Sequence, residues 1–214
     1  YILIDIPYGN SAKVSKKEAK VLQRKFVTIG KHFHMKVKCV LTDGKQPIGN
    51  GIGPVLELMD ILRVLEPKTK GPEDLENKAI FLSAKLLELA GKAKKGEGEK
   101  LARETLYSGK ALAKFKEIIK AQGGSFKNIQ FAKFKKDIFS TKSGEIKDID
   151  NKLINSLARV AGCPVDKQSG LYLYKHLGEK IQKGGPIITL YAESKARLIE
   201  AEKFYKKTRP ILIQ

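Results

Sequence analysis

Nothing in these 214 residues reads as a membrane segment, since no apolar run approaches the ~20 residues of a helical span. The opening Tyr1-Ile2-Leu3-Ile4 is too short for a secretory signal, and no basic region precedes it. A cytoplasmic protein with no membrane partner is the expectation that follows. Cysteine is scarce too. Cys39 lies in an apolar strand pattern and Cys163 just before a proline, so free thiols are expected rather than a disulfide. Neither has a second cysteine at metal-site spacing. A Ser-His-Asp set, a Walker loop and a Cys/His cluster are all missing. His32 and His34 form the one pair that hints at a ligand set. They stand in Lys-His-Phe-His-Met-Lys at a helix end, where cations suit the carbonyl pole of the dipole.

The chain has 42 Lys and Arg against 23 Asp and Glu, a formal net charge of +19. Such a surface attracts nucleic acid or phosphate-bearing small molecules. A lysine-rich, thermophile-like surface gives the same excess. The lysines spread along helical stretches such as 92–100 and 110–120, and aromatics suited to stacking on bases do not interleave with them. A basic nucleic-acid-binding protein therefore stays as the lesser alternative, and nucleic acid is not the expected partner. Hydrophobic content of 42% and charged content of 30% describe a globular chain of one or two domains.

Residues 1–7 read as a buried strand. Ser15-Lys-Lys-Glu18 is a capping box opening a helix to about His34, with Ala19, Leu22, Phe26, Ile29 and Phe33 on its expected buried face. A strand over 35–41 completes a parallel crossover. Pro54 opens a helix to Leu65, and Pro72 another to Gly91 with Leu75, Ala79, Leu82, Leu86 and Leu89 on one face. A single long helix is expected over 98–122. Beyond Gly124 the pattern turns to short strands: 136–140 and 144–149 about a hairpin-like Thr-Lys-Ser-Gly turn, then 170–174, 178–181 and 186–191. Asp150 caps an intervening helix, and a last helix over 194–207 precedes a strand over 210–213. The fold class is α/β: part of a mixed or parallel sheet domain with covering helices (1–124), then a smaller α+β domain with a hammerhead-like, barrel-sandwich-like β region (125–214).

The most telling stretch is 42–57, Thr-Asp-Gly-Lys-Gln-Pro-Ile-Gly-Asn-Gly-Ile-Gly-Pro-Val-Leu-Glu. Its glycines and prolines lie between a strand and a helix, suited to a binding edge and poorly suited to burial in a core. It resembles the central signature of the nucleoside phosphorylase family that contains thymidine phosphorylase, in particular the archaeal AMP phosphorylase branch. Ile4-Asp5-Ile6-Pro7-Tyr8-Gly9-Asn10-Ser11-Ala12-Lys13-Val14 resembles the strand and loop before that signature, and 170–191 the family's terminal β-rich domain.

On spacing alone Lys13 is a lysine at the carboxyl end of a strand, where ligands bind in open α/β sheets. The resemblance implies that it contacts the nucleotide. It also implies that Ile48 and Gly51, through carbonyls, and Asp60, through its carboxylate, hold a cation in some relatives; no cofactor is required. Thr42, Asp43 and Gln46 bond either a ligand or their own loop, and Glu57 either joins a site or steadies a helix N-terminus. Lys195 sits after a β strand much as a lipoyl-carrier lysine does, but the helical spacing after it marks a helix start. His176 reads as structural.

The implied reaction is phosphate-dependent cleavage of the N-glycosidic bond of AMP, giving base and ribose 1,5-bisphosphate, or the corresponding cleavage of thymidine or another pyrimidine nucleoside. Its partners are a nucleotide and phosphate, in a homo-oligomer. No catalytic residue is assigned here. The family's phosphate loop and acid have no counterpart in these residues, and the chain starts mid-pattern without a methionine. The expectation is a C-terminal portion that supplies one wall of a site and is inactive alone.

Overall fold

The computed structural model describes residues 1–127 and 129–214. They form two compact units, one of residues 1–44 with 62–125, the other of residues 45–61 with 126–214. Both mix helices and strands, and the α/β class holds.

The first unit opens with β1 (Ile2–Tyr8), α1 (Lys16–His32) and β2 (Val37–Asp43). The strands pair in parallel from Ile2 opposite Val37 to Tyr8 opposite Asp43, so α1 is the crossover helix. The capping box forms: the Glu18 amide donates to Ser15 Oγ at 3.3 Å, and the Ser15 amide to Glu18 Oε2 at 2.8 Å. That amide bond, first, and the Ser15 hydroxyl hold the Glu18 carboxyl below its ordinary range. Ala19 is buried against Ile6 and Cys39, with Leu22 and Val27 partly covered. The rest of the expected buried face stays open, with Phe26, Ile29 and Phe33 exposed by 37%, 51% and 63%. Two strands only about 5 Å apart cover a narrow stripe of a helix about 10 Å across.

Next come β3 (Gly51–Ile52), α2 (Pro54–Leu65), α3 (Glu73–Leu89), α4 (Gly98–Tyr107) and α5 (Lys110–Ala121). In the first unit Val64, Ile80, Ala102 and Leu106 form a core with Leu75 and Leu87 against it. The buried side of α3 is thus Ile80 and Ala84; Ala79 and Leu86, expected inside, are exposed. The single helix expected over 98–122 is two. Gly109 breaks it at φ 77°, a left-handed conformation open to glycine without steric penalty.

The second unit adds β4 (Phe134–Phe139), β5 (Gly144–Ile149), α6 (Asn151–Ala161), β6 (Gly170–Leu173), β7 (Lys180–Ile181), β8 (Pro186–Ala192), α7 (Lys195–Thr208) and β9 (Ile211–Ile213). One sheet runs β3-β6-β8-β4 and another β7-β5-β9, with antiparallel pairing throughout. The hairpin expected of 136–140 with 144–149 does not form, since β4 pairs with β8 while β5 pairs with β7 and β9. The turn between them is made, Ser140 Oγ donating to the Lys142 carbonyl at 2.5 Å, but the Ser140 amide goes to Gly185 at 2.8 Å and the strands diverge. Ile149, Leu157, Leu171, Leu173, Ile188 and Leu190 are fully buried between the sheets and α6. Asp150 caps α6 as expected, taking the Lys152 and Leu153 amides at 2.8 and 3.0 Å.

Candidate functional site

In the first unit the carboxyl ends of β1 and β2 lie side by side. Tyr8 is opposite Asp43, and the Gly44 amide donates to the Tyr8 carbonyl at 2.9 Å. The chain leaving β1 folds back on itself: the Ala12 amide donates to Gly9 at 3.3 Å and the Gly9 amide to Val14 at 3.2 Å. Lys13 stands exposed on this small loop. The Lys16 ammonium lies 5.5 Å from the centre of the Tyr8 ring, so two cations share that strand end. Below them, Thr42 Oγ1 donates to Asp5 Oδ1 at 2.7 Å, and Lys78 Nζ lies 2.8 Å from Asp5 Oδ2. Thr42 thus ties β2 to β1.

From Lys45 onward the glycine-rich segment belongs to the second unit and is part of its framework. Gly49, Gly51, Ile52 and Gly53 are buried, against the expectation of a segment unsuited to a core. Gly51 and Ile52 pair with Tyr172 and Leu171 as strand β3. The close approach requires glycine: a Cβ on Gly51 would lie 2.4 Å from the Leu56 backbone carbonyl. Gly53, at φ +125°, would carry one 2.5 Å from the Ser169 carbonyl oxygen.

Side chains lock the segment from several directions. Asp60, 1% exposed, accepts the Asn50 and Gly51 amides on Oδ2, both at 2.7 Å. Glu57 Oε1 accepts the Gly53 amide at 3.1 Å, the helix-start duty weighed for it. Gln46 Oε1 accepts the Leu177 amide at 2.7 Å, a tie within the protein. Asn50 bonds His176 Nε2 at 2.9 Å and donates to the Tyr172 hydroxyl at 3.0 Å. Sequence reasoning missed Asn50 and Tyr172. The Gly-Asn-Gly context was the available signal, but their partners lie more than a hundred positions away.

Of the proposed cation ligands, Gly51 and Asp60 are brought together and Ile48 stands 40% exposed in the same segment. Two carbonyls and a carboxylate are the hard oxygen donors such an ion prefers, so the set fits chemically. Among the described residues no group of three or more His, Cys, Asp or Glu could hold a metal. His32 lies in the last turn of α1, as the helix-end reading held. Lys195 is the first residue of α7, where Ser194 Oγ accepts the Arg197 amide at 3.3 Å. Both cysteines are free thiols; burial, first, pushes each pKa up. Among the described residues no helix is long and apolar enough to cross a membrane.

Residues 145–212 match the family described as "Pyrimidine nucleoside phosphorylase C-terminal domain". Residues 145–212 thus carry that family's domain, and the chain as a whole is similar to AMP phosphorylases. Over its whole length it is 43% identical to an AMP phosphorylase of Methanococcus aeolicus, 40% to one of Methanosarcina mazei and 43% to one of Methanocaldococcus jannaschii. The match takes in 100% of this chain and 43% of each of these relatives. The chain therefore spans less than half their length.

Proposed function

We propose that this chain is part of an AMP phosphorylase. A phosphate oxygen attacks the anomeric carbon of AMP, the glycosidic C–N bond breaks, and its electron pair leaves with adenine. The other product is ribose 1,5-bisphosphate. The observation that carries this reading is the 43% identity sustained across the whole chain to proteins of that name. Lys13 is the substrate-binding residue, its ammonium placed at the end of β1 to neutralise the nucleotide. The transition state is oxocarbenium-like, so the groups that grip phosphate and protonate the base carry the chemistry. No residue of this chain is assigned that work. The 170–191 region is read as a hammerhead of the family type, and the working enzyme as a cytoplasmic homo-oligomer.

A hard cation held by Ile48, Gly51 and Asp60 would brace the glycine-rich segment. A bound ion stabilises the state that binds it. Melting temperature should therefore rise with one of sodium, potassium or magnesium chloride against choline chloride at equal ionic strength, and Asp60→Asn should abolish the rise. No ion-specific rise would remove the cation.

The test of function is phosphate-dependent base release by a full-length protein carrying this sequence, offered AMP, thymidine and uridine. Adenine from AMP is expected. Base from the nucleosides alone would favour the pyrimidine nucleoside reading instead, and no base from any of them would end both. The 214 residues by themselves are expected to release none.

A further inference from the structure

A cleft of about 850 Å³ lies within the second unit, away from the glycine-rich segment, a volume ordinary for a small-molecule site. Its walls come from β4 and β9, each the last strand of its own sheet, and from α7. Four cations line it, Lys136, Lys142, Lys206 and Arg209, against the carboxylates of Asp137 and Glu202.

Both carboxylates are already engaged. Asp137 Oδ1 accepts from the hydroxyl of buried Thr189 at 2.6 Å. Glu202 lies 2.8 Å from Lys206 Nζ, and that bond, with help from Lys136, holds its carboxyl below the ordinary range. Lys142 and Arg209 make no ion pair among the described residues.

Arg209 is unusual in a second way. It closes α7 at φ 46° and ψ 63°, a left-handed position that helices ordinarily give to glycine or asparagine. Strained residues of this kind gather where a ligand is clamped. The remaining wall is apolar and partly uncovered, with Phe139 and Leu212 exposed by 53% and 47%. Burial pushes the Tyr205 phenol up to about 12, so that side chain lines the cleft as a neutral group.

We propose that this cleft is a second binding site, for a phosphorylated small molecule of the nucleoside diphosphate class. Arg209 and Lys142 take the phosphates, because two unpaired cations suit more than one negative charge and a guanidinium fork matches a phosphate edge. Phe139 and Leu212 take the flat apolar base. The site is independent of Lys13 and of the reaction proposed above.

The test is calorimetric titration of the 214-residue chain with ADP, inorganic pyrophosphate and adenosine, repeated on Lys142→Ala, Arg209→Gly and Lys13→Ala. ADP is expected to bind one to one, more tightly than either pyrophosphate or adenosine. Arg209→Gly should weaken it roughly tenfold or more while leaving the melting temperature equal or higher, since glycine fits that backbone without strain. Lys142→Ala should weaken it too, and Lys13→Ala should leave it unchanged. No ADP binding at millimolar concentration, or binding that survives both cleft variants, would overturn the proposal. So would pyrophosphate binding as tightly as ADP, or loss of binding in Lys13→Ala.

Discussion

The Asp60 carboxylate holds the Gly51 amide at 2.7 Å from a buried position on α2, with the Asn50 amide on the same oxygen. A short charged acceptor therefore closes the glycine-rich segment onto the helix that follows it. Asp60→Ala strands both amides, at about 1–3 kcal/mol for each buried donor left unsatisfied. Urea unfolding should show a loss of about 3 kcal/mol, with Asp60→Asn losing less because one oxygen remains. A midpoint unmoved by Asp60→Ala would mean the clamp is not needed.

Gly51 faces a second constraint, since an added Cβ meets backbone atoms rather than a yielding side chain. Gly51→Ala must displace either β3 or the first turn of α2, and a loss of about 1–3 kcal/mol is expected from such overpacking. Gly91→Ala is the control. Gly91 also has a positive φ, +69°, but nothing lies within 4 Å of its would-be Cβ, so only the backbone cost of about 1 kcal/mol applies. Equal losses at the two positions would show that close approach is not what Gly51 supplies.

Features whose partners are near in sequence were legible beforehand. The Ser15–Glu18 box, the Asp150 cap and the β1-α1-β2 crossover all sit where local patterning put them. Features that depend on distant partners were not. Periodicity marked Phe26, Ile29 and Phe33 as one apolar stripe, yet it carries no information about what covers that stripe, and here they are exposed. On α3 the same kind of stripe was placed one position off, because leucines occur on more than one side of that helix and the neighbour that selects Ile80 and Ala84 lies across the unit. The 42–57 segment was recognised by its glycines, but its strand pairing with Tyr172 and Leu171 was invisible without the fold.

Lys13 gives the sharpest functional prediction. In a full-length protein, Lys13→Ala should raise the dissociation constant for AMP by roughly 10- to 100-fold, the worth of a charge-assisted contact to a phosphate. Adenosine, which has no phosphate, should be affected far less. The side chain is exposed, so the unfolding midpoint should not change. Unchanged AMP affinity would take Lys13 out of the site; an equal loss for both ligands would assign it to the base or sugar instead.

Tyr205 makes an alkaline signature. Its phenol is pushed from 10.0 up to about 12 by burial, so the folded chain keeps a proton that the unfolded chain releases at lower pH. Stability tied to that proton is fully present below pH 10 and falls as pH rises through about 12, by about 1.4 kcal/mol for each unit of difference in pKa. Lysines titrate in the same window, so the informative quantity is the difference between the parent chain and Tyr205→Phe. Phenylalanine keeps the ring and removes the proton. The parent should lose stability relative to the variant by about 2–3 kcal/mol between pH 10 and 12, read by urea unfolding at fixed pH. Parallel curves for the two proteins would mean that the phenol ionises as freely in the folded state as in the unfolded one.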